Sequence, residues 1–125
     1  MIGYVTLGSN DVPRAGTFYD GVLGELNAKR QIDAEGFIAW SQSAGTPMLS
    51  VIKPFDESPA RVGNGVMVAL TVTTRDEVAS VHAKALSLGA ADEGAPGLRG
   101  ESFYGAYFRD LDGNKLVVYT ADSFG

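Results

Sequence analysis

Apolar positions along this chain follow two periods in alternation, and the same order of periods occurs twice. The first half opens with the apolar stretch Ile2–Leu7. Asn10 or Asp11 can cap a helix, and Pro13 suits its first turn. Ala15, Phe18, Val22 and Leu26 recur at helical spacing. Gly36 then breaks the chain, and Phe37–Ser41 and Met48–Lys53 read as strands around a Ser/Gly/Pro turn, with a weaker strand near Ala28–Ile32. In the second half Val66–Val72 reads as a β-branched strand. Thr73 or Thr74 can cap a helix, with Glu77 placed as in a capping box. Val78, Val81, Ala85 and Leu88 form that helix's stripe, and Gly89 ends it. Gly94–Gly100 reads as a flexible loop, a candidate lid. Phe103–Arg109, a turn at Asp112-Gly113 and Lys115–Thr120 complete the half.

Each half therefore reads β-α-β-β-β, which makes the fold class α+β with two βαβββ modules, 1–62 and 63–125, joined at Gly63-Asn64-Gly65. Tyr4 corresponds to Met67 and Ser50 to Val117, at offsets of 63 and 67 residues. Strand alternation divides the two sheet faces. Val5 and Leu7, and likewise Val66, Val68, Leu70 and Val72, suit a face packed on a helix. Ile2, Tyr4 and Thr6, and likewise Met67, Ala69 and Thr71, form a mixed, partly polar face that suits a cavity wall.

Composition narrows the chemistry. The 125 residues suit one domain, and a hydrophobic content of 45% suffices for a core. A net charge of −5 disfavours nucleic acid as a partner. No cysteine is present, which excludes disulfides, thiolate metal sites and cysteine nucleophiles. No stretch resembles a secretory signal or a membrane span, so the expectation is a cytoplasmic protein away from membranes. Asp110-Leu111-Asp112-Gly113-Asn114 does not fit an EF-hand loop, because the glycine comes early and Ala121 stands where the final Glu belongs. Gly94-x-x-Gly97-x-x-Gly100 has no feeding strand and following helix, so it is no dinucleotide fingerprint. His82, the only histidine, falls beside the stripe of the second helix, away from the mixed face, which leaves no Ser-His-Asp arrangement.

The layout resembles the vicinal oxygen chelate superfamily, which includes glyoxalase I, bleomycin- and fosfomycin-resistance proteins and extradiol dioxygenases. The resemblance rests on Tyr4-Val5-Thr6-Leu7-Gly8 with Asn10-Asp11, on Phe18-Tyr19 and Val22-Leu23-Gly24, and on Phe108-Arg109-Asp110-Leu111-Asp112-Gly113-Asn114-Lys115-Leu116. The last run is similar to the family's Phe-x-Asp-Pro-Asp-Gly-Asn hairpin, with Leu111 in place of Pro. In metal-dependent members four strand positions supply His, Glu or Gln ligands. The corresponding residues here are Tyr4, Ser50, Met67 and Val117, a poor donor set for a divalent metal, with Glu101 the nearest carboxylate. The expectation is therefore no metal and no cofactor.

A three-residue turn pairs Arg109 with Lys115 and Tyr107 with Val117, which brings Tyr119 and Gly105 beside them. The 67-residue offset carries Tyr107 back to Trp40. The expected ligand-binding set is thus Tyr4, Trp40, Ser50, Met67, Tyr107, Val117 and Tyr119, with Trp40 and Tyr107 as paired aromatic walls. The resemblance implies a metal-independent protein that binds a small apolar or aromatic ligand, and a homodimer, since members of this fold pair their halves within or between chains. The alternatives are a glyoxalase-like lyase or isomerase, or a dioxygenase-related enzyme, with an atypical site in which Tyr4 or Tyr107 moves protons, and a purely structural or partner-binding domain.

Overall fold

Both predicted helices are set by their caps. In the computed structural model, which describes residues 1–122, α1 spans Val12–Gly24. The Asp11 carboxylate accepts the Arg14 backbone N–H at 3.1 Å and Pro13 occupies the first turn. The second helix, α2, spans Arg75–Ser87, and the Thr74 hydroxyl accepts the Glu77 N–H at 3.1 Å. The Glu77 carboxylate accepts the Thr73 hydroxyl in return at 3.0 Å. Gly89 takes φ +102°, the left-handed conformation that ends the helix.

The strands are β1 Tyr4–Gly8, β2 Lys29–Ala34, β3 Phe37–Ser41, β4 Met48–Ile52, β5 Val68–Thr71, β6 Ala91–Leu98, β7 Phe103–Arg109 and β8 Lys115–Ala121. They form two four-stranded sheets, ordered β1-β4-β3-β2 (sheet 1) and β5-β8-β7-β6 (sheet 2). In each, the first strand of the module runs parallel to the last, and the other pairs are antiparallel. This is the βαβββ unit twice over. Among the described residues no helix is long and apolar enough to cross a membrane.

Two expectations need correction. Gly94–Gly100 is not a loop: residues up to Leu98 form β6, paired with β7 through two register shifts around Gly94. An edge strand can hold Pro96 and two glycines because one side of its ladder needs no partner and bulges absorb the irregularity. A Cβ at Gly94 would also lie 3.2 Å from the Tyr107 ring, a tight approach that glycine avoids. The strand expected from Val66 begins at Val68, because the Val66 N–H turns back to the Gly63 carbonyl, leaving Val66 exposed.

Val22, Phe18 and Tyr19 of α1, Val78, Val81 and Ala85 of α2, Trp40 and Val51 of sheet 1, and Phe108, Leu116 and Val118 of sheet 2 form one buried cluster. The helices touch each other, each helix touches its own sheet, and among the described residues no strand of one sheet contacts a strand of the other. The two helix-facing sides are thus turned inward around α1 and α2. The opposite, mixed faces point away from one another.

One buried carboxylate joins the modules. Asp110, 6% exposed, accepts the Tyr19 hydroxyl at 2.6 Å, the Asp112 and Asn114 backbone N–H groups at 2.9 Å and the Asn114 side-chain amide at 3.0 Å. The Asn114 amide also donates to the Gly8 carbonyl at 3.0 Å, and the Asp112 carboxylate accepts the Asn10 N–H at 2.9 Å. The β7–β8 turn is therefore stitched to the β1–α1 junction. Burial, reinforced by the Asp110 carboxylate, holds the Tyr19 phenol well above its ordinary range, so this hydroxyl stays a donor. Replacing Tyr19 with Phe leaves one carboxylate lone pair unmet and should cost about 1–3 kcal/mol at neutral pH, measured by urea unfolding. The folded chain also keeps the Tyr19 proton at a pH where the unfolded chain loses it. The stability this phenol contributes is therefore complete below roughly pH 10 and is lost as pH rises beyond that. The Tyr19→Phe variant should lose stability less steeply over the same alkaline range; an identical slope would show that this phenol does not set it.

Candidate functional site

Register decides which side chains share a face. On sheet 2, Tyr107 pairs with Val117, Gly105 with Tyr119 and Arg109 with Lys115, while Ala69 and Thr71 of β5 pair with Val117 and Tyr119. The mixed face of sheet 2 therefore gathers Tyr107, Val117 and Tyr119 as the turn predicts. The Phe103 and Tyr119 rings stack there at 5.0 Å with planes 9° apart, and Met67 stands exposed at its edge. Val117 is buried beneath these neighbours. On sheet 1, Ala39 pairs with Ser50 and Ser50 with Thr6, and Tyr4 lies on the same face, 58% exposed. Ser50 is buried, and its hydroxyl donates to the Val5 carbonyl at 2.7 Å.

Trp40 is the expectation the register overturns. It pairs with Leu49, not Ser50, so it points to the helix side. There it is 1% exposed, packs on Tyr19 at 5.6 Å and donates its indole N–H to Asp20 at 2.9 Å. The residue that corresponds to Tyr107 is Ala39. The β3–β4 connection is residues 42–47 and the β7–β8 connection residues 110–114, a difference of one residue, and one residue is enough to reverse a strand's faces. Asp20 also receives Arg30 at 2.8 Å through two bonds. Arg30 and then, against its partial burial, the Trp40 indole hold its carboxyl below the usual range.

The mixed face of sheet 2 has a charged rim that sequence reasoning missed. The Arg99 guanidinium carbon lies 5.5 Å from the Tyr107 ring centre and the Lys115 ammonium also 5.5 Å. Arg109 is paired with Glu93. A cleft of 590 Å³ is lined by Met67, Arg109 and Lys115 together with residues 62–66. The only available signal for Arg99 was a cation between Gly97 and Gly100, in a stretch that reads as loop until β6 pairs with β7. A larger cleft, 800 Å³, lies where the α1 N-terminus meets the β2–β3 turn and residues 53–59. Its Arg30 is already matched by Asp20 and Asp33, and it lies outside both mixed faces.

His82 is buried in α2 and bonds Asp92 at 3.1 Å. The Gly94 N–H, and secondarily His82, hold the Asp92 carboxyl below its usual range. This imidazole lies on the helix side of sheet 2 and can serve neither mixed face as a base.

Two βαβββ units, each with a helix on one side of a mixed sheet and an open opposite side, define a class of fold built by module pairing. The chain belongs to the Glyoxalase/Bleomycin resistance protein/Dioxygenase superfamily, whose family model matches residues 1–118. A glyoxalase/bleomycin resistance protein from Albidiferax ferrireducens T118 is similar at 27% identity and TM-score 0.88, over 96% of this chain and 98% of that one. A lactoylglutathione lyase from Agrobacterium tumefaciens shares the fold at 21% identity and TM-score 0.73, over 100% and 96% of the two chains. The hypothetical protein SA1046 from S. aureus shares it at 24% and 0.74, over 97% and 93%. No curated protein matches the chain.

Metal-dependent members of such a fold draw their ligands from these four strand positions, and the residues here do not fit. Val117 has no donor atom, the Ser50 hydroxyl proton is committed to Val5, and Tyr4 and Met67 offer a phenol and a thioether. Among the described residues no three His, Asp or Glu side chains converge to hold an ion. Purified protein should contain no stoichiometric zinc, nickel, iron or manganese by elemental analysis, and a chelator should leave its melting temperature unchanged. About one metal per chain, lost on Tyr4→Phe, would overturn this.

Proposed function

We propose that the chain is a homodimer that binds a small, flat, apolar or aromatic molecule without a divalent metal, in cavities walled by sheet 1 of one copy and sheet 2 of the other. The observation that carries the reading is that, among the described residues, no helix or strand packs on either mixed face. Ile2, Tyr4 and Met67 are 57%, 58% and 44% exposed, and β1 and β5 end their sheets, so apolar surface and unpaired backbone lie side by side. A crevice of 510 Å³ lined by Ile2, Val5, Met48, Met67 and Val68, among others, separates these edges. Within one chain the mixed faces cannot meet, because α1 and α2 occupy the space between the sheets. A twofold operation brings sheet 1 of each copy over sheet 2 of the other and covers both faces at once.

The cavity so formed would have Tyr107, Tyr119 and Phe103 on one wall and Tyr4, Thr6 and Ser50 on the other. Rings over small or weakly polar neighbours favour recognition by stacking and shape. With His82 behind the sheet, no imidazole is available for proton transfer, which favours binding over catalysis.

Light scattering at micromolar concentration should report a dimer. Ala69→Glu, at an exposed position of the β5 mixed face, should shift it to monomer by placing a charge in the interface. A wild-type monomer with full thermal stability would sink the dimer. For the ligand, aromatic compounds should perturb the tyrosine-ring NMR signals of Tyr107 and Tyr119, and Tyr107→Ala should weaken binding by about 1–3 kcal/mol. Confirmed binders that move only residues of the 800 Å³ cleft would relocate the site.

A further inference from the structure

One glycine on the mixed face of sheet 2 stands where a strand ordinarily carries a side chain. Gly105 is buried in the middle of β7, between β6 and β8, where glycine weakens a strand and marks a close approach. It shares that face with Phe103 and Tyr107, two residues to either side, and pairs with Tyr119 of β8. A Cβ on Gly105 would lie 2.7 Å from the Cε1 atom of Phe103 and 3.4 Å from a methyl of Val117. Phe103 therefore folds along the strand into the space the glycine leaves, with buried Gly105 and Val117 as its floor. Any side chain at position 105 would push the ring out of this place.

The two rings that meet there are arranged as a flat ligand and its wall would be. Phe103 and Tyr119 stack at 5.0 Å with planes 9° apart, whereas the core pairs Phe18–Tyr19 and Tyr19–Trp40 meet at 86° and 46°. Parallel, offset stacking is how a flat ring rests on an aromatic wall. At this separation no further ring fits between the two, so a ligand that uses this face of Tyr119 has to displace Phe103. The phenyl ring can yield without moving the strand. Phe103 is the first residue of β7, beside the 99–102 connection, and its backbone is tied by its carbonyl, which accepts the Arg99 N–H at 2.7 Å. Rotation about its first side-chain torsion swings the ring off Gly105 while that bond stays.

We propose that Phe103 competes with the ligand for one stacking place over Gly105: an entering flat ring takes the Tyr119 face and turns Phe103 outward. This rests on the small-molecule reading of the same face and adds how the site admits and selects its ligand. The ring that enters has to be flat and no thicker than the phenyl it replaces. A place that is filled from within part of the time lowers the apparent affinity by the fraction of time it is open, so Phe103 sets a threshold that only a ring stacking better than its own side chain crosses.

The test titrates indole, benzamide and 2-naphthol into the intact protein and into Phe103→Ala. The variant should bind about three- to tenfold more tightly, the reach of one stacked pair. Phe103→Leu, which keeps an apolar side chain on the sheet but cannot stack, should move affinity in the same direction and covers the case in which Phe103→Ala folds poorly. In the wild-type complex, nuclear Overhauser contacts between the Phe103 and Tyr119 rings should disappear, and contacts between the ligand ring and Tyr119 should replace them. Equal or weaker binding by the variants, or a Phe103–Tyr119 contact that persists in the complex, would make Phe103 a fixed wall, and the inference would fail while the small-molecule reading stands. If none of the three compounds binds wild type or variant at millimolar concentration, both fall together.

Discussion

The bond between the Tyr19 hydroxyl and the Asp110 carboxylate is the contact on which the molecule's arrangement depends. Asp110 is buried in a turn of sheet 2 and Tyr19 in the helix of sheet 1. A buried carboxylate left short of donors is costly, so the β7–β8 turn has to sit against α1. Asn114 and Asp112 extend the same junction to β1 and to the α1 cap. With the turn fixed there, α1 and α2 come together, and the apolar sides of both sheets close over them as one core.

The outward direction of the mixed faces follows from that closure. A sheet has two sides, and once the helices take the inner one the other must be covered from outside or stay wet. What remains there is chemically specific: stacked rings at Phe103 and Tyr119, small side chains at Ala69 and Ser50, and a phenol at Tyr107 between two cations. The family shares the fold among proteins whose chemistry is set by these faces. In this chain the four positions that resemble the ligand positions of metal-dependent members carry Tyr4 and Met67, both exposed, and Ser50 and Val117, both buried.

The contrast between Trp40 and Tyr107 shows how far alternation can be read. Tyr107 was legible because the Asp112-Gly113 turn fixes the register of its hairpin; Gly113 takes φ +90° there. Trp40 was misplaced because the turn over 42–47 has no comparable signature, and its length differs by one residue from its counterpart. Arg99 was invisible for another reason. Its place over Tyr107 depends on β6 pairing with β7 across glycines and a proline, which local propensity reads as loop.

The sequence by itself determined the two modules, both helices with their caps and the register of the last hairpin. These follow from hydrophobic period, capping chemistry and side-chain identity, all properties of residues close together along the chain. Only the tertiary structure decided that the helices lie between the sheets, that Trp40 faces the helices and Ala39 the mixed side, and that Arg99 and Lys115 both lie near one ring. Each of these depends on residues far apart in sequence whose meeting is set by register and by the burial of Asp110, and no local pattern encodes either.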